Sequence, residues 1–498
     1  MRRLACTLAI LVVACPFARS QAPAPPRRAP EVAVTRLDID LELDAERGVL
    51  QETVSITLTG EQIGSFVFHI HEGLSVERSK ANAGAIDHRK AGSRLLVDID
   101  PPLSGSRTLT FVVSGRPGGT GGTRIGPEWA VLNPADHWYP TLPHTWAESR
   151  VRVRAPEGWT VVAPGESPGV AADGTWEWRA SRPVRGVVVA ASPGFAVKRG
   201  TLVATPLRVA SADETLGLER LTDALGDPMA WFSGALAPYP FDGLNLVFID
   251  GFEGRASGGG MVVVPGSFPL AGRPEGADLL AGVWFGDVLA GDGRWVESFA
   301  AWEAVVYCRD RALPLPPEID KLRREYFNVV DDVPLALADS KTPEAVVRGK
   351  GSAAPDMVRL VAGDRAIYGG VPDLFEPLGR PPLSLAEVRA VFERRTGHKL
   401  EHAFSEWFER TGVPEFEAVL RTQPSSTGGF RTDLTLIQKR ELYTLPVEVV
   451  FHGAGETHRE ILDVSDETTA VFYVLPFRAA RIEVDPLDRI YRRETRQP

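Results

Sequence analysis

The spacing that most resembles a reactive site is His398-Lys-Leu-Glu401-His402, an H-x-x-E-H pattern. On a helix it places two imidazoles on one face, four residues apart, with a glutamate beside them, which is the inverted form of a zinc-binding motif. A zinc site needs a further protein ligand, and no downstream acidic residue stands out as one. The pair therefore reads as adventitious, with His398 and His402 kept as alternative metal ligands. All nine His fall outside residues 145 to 397. A metal in the middle of the chain would have to rest on carboxylates such as Asp278, Asp287 and Glu297, a donor set suited to Ca²⁺ or Mg²⁺ and weak for Zn²⁺. Gly165-Glu-Ser-Pro-Gly169 matches the nucleophile elbow G-x-S-x-G, but the elbow needs a strand entering a helix, and Pro168 among strand signals predicts a plain turn. Gly118 to Gly122 has no Gly-Lys-Ser/Thr after it, so it is no phosphate loop. His452 and His458 flank Gly453 to Glu456, the tip of an expected hairpin.

The elements that would carry these residues follow from periodicity. From Val32 apolar residues alternate, as in Leu37, Ile39, Leu41 and Leu43, then Val54, Ile56 and Leu58, then Phe66, Phe68 and Ile70, which predicts an antiparallel saddle or sandwich. Around Gly200 the pattern turns helical, with a run expected over 211 to 236 that ends at Pro238-Tyr-Pro-Phe-Asp242, and Leu244 to Ile249 reads as a buried strand. Asp278 to Gly286 is an apolar helical segment, broken near Gly291 to Gly293 before a second helix bearing Glu297. Two amphipathic helices end at Gly397 and Gly412. From Phe430 the period returns to two. The whole is an α+β multidomain chain, as 498 residues already suggest.

Val-Trp-Phe-Gly-Asp at 283 to 287, followed by Trp-Val-Glu-Ser-Phe-Ala at 295 to 300, resembles the core of the aminopeptidase N family, gluzincin zinc exopeptidases whose helices read H-E-L-x-H-x-W-F-G-N and W-L-N-E-G-F-A. The resemblance covers about 34 to 490, with specific motifs between 238 and 302. It implies a thermolysin-like α/β domain between an N-terminal β domain and a small C-terminal β-sandwich. In that motif two His bind Zn²⁺, the Glu between them is the general base, and a Glu of the next helix is the third ligand. Here the two His positions read Asp278 and Gly282, the base position Leu279, and the third-ligand position Glu297. Gly258 to Gly266 resembles the family's G-x-M-E-N strand, whose Glu holds the substrate's α-amino group. Gly260 and Met261 are kept, but Val262 and Val263 replace Glu and Asn. Arg348 stands where the family's Y-x-K-G has its oxyanion-donating Tyr, ahead of Lys350 and Gly351. The resemblance thus implies a degenerate member: a pseudopeptidase without catalytic residues, cofactor or metal, whose cleft could hold an extended peptide or protein by backbone pairing along Gly258 to Val264. The alternative is an active metallopeptidase with a non-standard zinc site. An unpaired carboxylate at the cleft floor is costly, so Glu297 is expected to pair with Arg348 or, second, with Arg294 one turn before it.

The expected division is a signal peptide at 1–20, a Pro-rich spacer at 21–31, the N-terminal β domain at 32–199, the degenerate peptidase domain at 200–425 and the β-sandwich at 426–498. Met1-Arg-Arg and the apolar run Leu4 to Ala14 read as an export signal too short to span a bilayer, which implies a periplasmic or extracellular protein with no transmembrane span. Val12-Val-Ala-Cys15 resembles a bacterial lipobox, which would put a lipid on Cys15. A net charge of −10 and the lack of a Lys/Arg stripe with interleaved aromatics argue against nucleic acid as a partner. Three Cys, one of them beyond residue 20, leave no disulfide framework within the mature chain.

Overall fold

A computed structural model describes residues 32–119, 122–142, 146–289, 291, 293–375 and 383–493. The expected signal peptide, the spacer and Cys15 lie outside the described residues. The alternating apolar residues of Ala33–Asp44 and Val49–His69 form an antiparallel pair, and each alternate side chain is buried. This pair sits in an eight-stranded sheet running Glu166–Val170, Thr175–Val184, Ala147–Arg154, Ala33–Asp44, Val49–His69, Arg94–Gly115 and Leu74–Ala81, with Ala85–Ala91 also on Arg94–Gly115. One contact in it, Ala33–Asp44 with Ala147–Arg154, is parallel. The Gly165 to Gly169 segment is a bulged strand here, where a turn was expected, and it leads into another strand. No elbow forms.

The second unit is built on a five-stranded mixed sheet in the order Ala196–Leu202, Thr205–Ser211, Leu244–Ile249, Met261–Pro265, Ala256–Gly258. Its first hairpin starts before residue 200, so the expected boundary at 199/200 cuts a strand; likewise Glu415–Pro424 pairs with Phe430–Lys439 in the C-terminal sandwich, which starts ahead of 426. The helix expected over 211 to 236 is Leu218–Ala235, because the residues up to Ser211 complete the strand. Met261, Val262, Val263 and Val264 are fully buried, with Leu244–Ile249 on one side and Ala256–Gly258 on the other. Ala256–Gly258 is the sheet's outer strand.

Helix Arg273–Gly282 continues as a widened π-helical stretch, Val283–Leu289, and helix Trp295–Asp310 packs against both. Trp295–Asp310 is apolar nearly all round, as a helix enclosed by its own domain must be. The C-terminal part is two three-stranded sheets, 415–424/430–439/468–475 and 457–464/445–452/481–484, with His452 and His458 flanking the hairpin turn as expected. No described helix is long and apolar enough to cross a membrane.

Candidate functional site

The positions implied by the zinc-helix resemblance converge, but on arginines. Asp278 is partly enclosed, its side chain 13% exposed, while Leu279 is fully buried and faces the core. The π-helical stretch Ala345–Lys350 brings Arg348 to Asp278. Backbone contact holds that stretch: a Cβ on Gly349 would lie 2.4 Å from the Leu322 carbonyl oxygen, and one on Gly351 would lie 2.2 Å from Ser298 Oγ. Clamped between two helices by glycines, the stretch has little freedom to carry Arg348 elsewhere. Arg348 Nη2 donates to both Asp278 oxygens, at 2.5 and 2.7 Å. The Asp278 carboxylate holds the guanidinium above its ordinary pKa.

Glu297 therefore does not pair with Arg348, contrary to expectation. Arg294, one turn earlier, takes it bidentately, with Nε to Oε1 at 2.7 Å and Nη2 to Oε2 at 2.6 Å. The same guanidinium reaches Glu344 at 2.5 Å and the carbonyl oxygens of Asp339 and Thr342. The reason is reach: an i to i+3 fork closes locally, whereas Arg348 meets Asp278 first.

A third guanidinium, which the sequence reading missed, fills the last position. Arg255 Nη2 donates to the Leu279 carbonyl oxygen at 2.5 Å. A Cβ built on Gly282 would lie 2.6 Å from Arg255 Nη2 and 2.8 Å from Nη1, so a side chain at 282 requires the guanidinium to shift. Burial lowers the pKa of Arg255, Asp278 opposes that effect, and Arg348 reinforces it. Deeper in, the Ser257 hydroxyl donates to Asp287 Oδ1 at 3.0 Å, while Oδ2 is buried and short of a well-formed hydrogen bond among the described residues. Burial pushes the Asp287 carboxyl up to about 6 despite Arg255 and Arg185.

As a place for zinc, this donor set does not fit. Gly282 offers no donor atom, Asp278 and Glu297 are each taken up by a guanidinium, and a cation pressed against 282 repels another. The same occupancy meets the carboxylate-only site considered for Ca²⁺ or Mg²⁺. Among the described residues, no group of three or more His, Cys, Asp or Glu is placed to hold a metal ion.

The H-x-x-E-H segment does not present its two imidazoles together. The helix begins at Glu401, so His398 lies in the preceding turn, exposed, and the backbone leaves helical geometry at Leu400. His402 Nε2 lies 3.0 Å from Glu406 and 3.0 Å from Thr444 Oγ1. The hydroxyls of Tyr307 and Tyr326 are also engaged: Tyr307 donates to Asp227 and Tyr326 to Asp332, each at 2.6 Å. Lys350, fully buried, donates to the Arg410 carbonyl oxygen at 2.7 Å, and burial lowers its pKa to about 8. Cys308 is a buried free thiol whose pKa burial raises to about 12, too high for a nucleophile.

The fold has clear relatives among solved structures. A mutant M1 zinc metallopeptidase from Deinococcus radiodurans bound to a Tyr-Ser-Ala substrate superposes with a TM-score of 0.66 at 17% identity, covering 77% of this chain and 95% of that one. The M1 zinc metallopeptidase of the same organism without that mutation gives 0.65 at 16% over 77% and 94%. A two-domain M1 zinc metallopeptidase mutant bound to L-tryptophan gives 0.64 at 16% over 77% and 95%. At this identity the likeness is one of fold: an M1 peptidase-like architecture with β domains at both ends. No protein-family profile and no curated protein matches the sequence.

Proposed function

We propose that the protein is a pseudopeptidase with the M1 architecture, which binds peptide or an extended protein segment without hydrolysing it. The observation that carries the reading is Arg255 against Gly282: a guanidinium occupies the space a second imidazole ligand would need. Arg348 on Asp278 and Arg294 on Glu297 extend it, so that fixed cations neutralise the carboxylates a metal would otherwise neutralise. Val262, fully buried at the strand position expected to hold a substrate amine, offers an ammonium no partner.

For peptide capture, Met261–Val263 is paired on both sides, which corrects the expectation of pairing along 258 to 264. The sheet's outer strand, Ala256–Gly258, is itself enclosed, with Ala256 1% exposed and Gly258 against the Gly186 backbone, so the peptide reading rests on the likeness of fold and not on a free strand edge. Neighbours of this fold are solved with Tyr-Ser-Ala and with amino acids bound, which supports a peptide-sized ligand. Purified protein should carry no stoichiometric zinc by elemental analysis and turn over no member of a panel of amino-acid amides above background. Zinc near one equivalent together with amide hydrolysis would overturn the reading. Nothing in the geometry of His398 and His402 favours the metallopeptidase alternative.

A further inference from the structure

Away from the cleft, three sheets meet around a cavity of about 220 Å³. Its walls include Trp176, Trp178, Phe195 and Val162, and Arg199, Arg208 and Ser167 supply its polar groups. Arg199 and Arg208 stand directly opposite each other on the antiparallel hairpin Ala196–Leu202/Thr205–Ser211. Like charges in that relation are destabilising unless something negative joins them. Neither guanidinium forms an ion pair among the described residues. Arg208 donates by Nη1 to the Gly165 carbonyl oxygen at 2.9 Å and lies over the Trp178 ring, 5.5 Å from its centroid. Exposed Glu166 is the one carboxylate that acts on Arg208, and Arg199 works against it. Two cations with one exposed carboxylate acting on them leave the rim with an excess of positive charge.

Two donors in the wall are also available. Trp178 is 3% exposed and its Nε1–H has no partner among the described residues. Ser167 Oγ accepts from Gly169 N at 3.1 Å, which leaves its own proton to give. A buried donor without an acceptor is costly, and an oxyanion is a natural acceptor. The apolar volume exceeds the ~150 Å³ that accommodates a benzene ring.

We propose that this cavity is a binding site for a small apolar monocarboxylate, an aryl or short alkyl acid. Its hydrocarbon part lies among Trp176, Trp178 and Phe195, and its carboxylate is held by Arg199 and Arg208. The site is separate from the cleft, so it stands or falls independently of the peptide reading. Phenylacetate, titrated into the full chain by calorimetry and by tryptophan fluorescence, is expected to bind saturably. Uncharged phenylacetamide should bind roughly tenfold or more weakly, since it loses the charge-assisted hydrogen bonds, and phenethylammonium not at all. Arg199→Gln should weaken phenylacetate roughly tenfold and leave phenylacetamide unchanged, and Arg199→Lys should recover part of the loss. Arg199 is exposed and makes no hydrogen bond that holds the fold, so the variant folds. Equal binding of acid and amide, an unaltered affinity in Arg199→Gln, or no saturable binding of phenylacetate to the folded wild type would overturn the proposal.

Discussion

Removing Arg348 tests whether guanidinium pairing holds the cleft together. In Arg348→Met the stem volume is kept and the charge is lost, so Asp278 keeps its partly enclosed carboxylate without the two contacts at 2.5 and 2.7 Å. Breaking a buried pair by deleting one partner costs about 3–5 kcal/mol, and an exposed pair is worth about 0–1 kcal/mol. The side chains of Arg348 and Asp278 are 22% and 13% exposed, so the pair falls between these limits. Arg255 remains to compensate Asp278 in part. A loss of about 2 kcal/mol is expected for Arg348→Met. Asp278→Asn should cost less, about 1 kcal/mol, because Glu344 and Glu297 still attract Arg348. The double variant should fall short of the sum by about 1 kcal/mol or more, the signature of a direct contact. Thermal melts of the four proteins at pH 7 read this out, with Arg348→Met lowered by roughly 4–8 °C. The shift should persist at high salt, because enclosed pairs are screened little. Additivity within about 0.5 kcal/mol, or a melt for Arg348→Met within about 1 °C of wild type, would refute the pairing argument.

Rebuilding the zinc shell by Asp278→His, Leu279→Glu and Gly282→His should fail to recruit zinc, since position 279 is fully buried and any side chain at 282 meets Arg255. Adding Arg255→Ala should be required before elemental analysis finds metal, and zinc in the triple variant alone would count against the crowding at 282. Glu303, buried with Oε2 unpartnered among the described residues, is pushed up to about 8 by burial and by Asp356. An acid whose folded pKa is raised is more protonated in the folded state, so it costs stability increasingly as pH rises from about 4.5 to about 8. Glu303→Gln should therefore leave stability nearly unchanged at pH 5 and raise it at pH 8.5, by on the order of a few kcal/mol, in urea unfolding. An equal effect at both pH values would show that Glu303 ionises freely.

How much of this was legible in the residues depended on whether a feature was local. The saddle strands were readable because Leu37, Ile39, Leu41 and Leu43 alternate within one strand, and the Trp-Phe-Gly and Trp-Val-Glu segments because helical spacing fixes their own faces. The Glu297–Arg294 pair was within reach for the same reason, since its partners sit one turn apart. The preference for Arg348 failed because ranking two cations across a cleft requires the distance between helices, which the glycine contacts at 349 and 351 set. Position 258 to 264 read as one open strand because nothing in Ala256-Ser-Gly says that the chain folds back on itself through Gly259 and Gly260, both at positive φ. Likewise His398 and His402 share a helical spacing, but the helix begins only after Leu400.

Arg255 left a single trace in the sequence, and it lies at another residue. Lysine or arginine before a strand is unremarkable, so Arg255 itself carries no pattern; the informative residue is Gly282, a glycine inside an apolar helix where it forfeits helix propensity of about 1 kcal/mol. A Cβ there would come within 2.6 Å of Arg255 Nη2, so admitting it requires the guanidinium to move off the Leu279 carbonyl oxygen. Gly282 and Arg255 are therefore one packing unit. A Cβ at 282 would press on that guanidinium, so Gly282→Ala should destabilise the protein although alanine is the better helix former, and Gly282→Ala combined with Arg255→Ala should recover most of the loss.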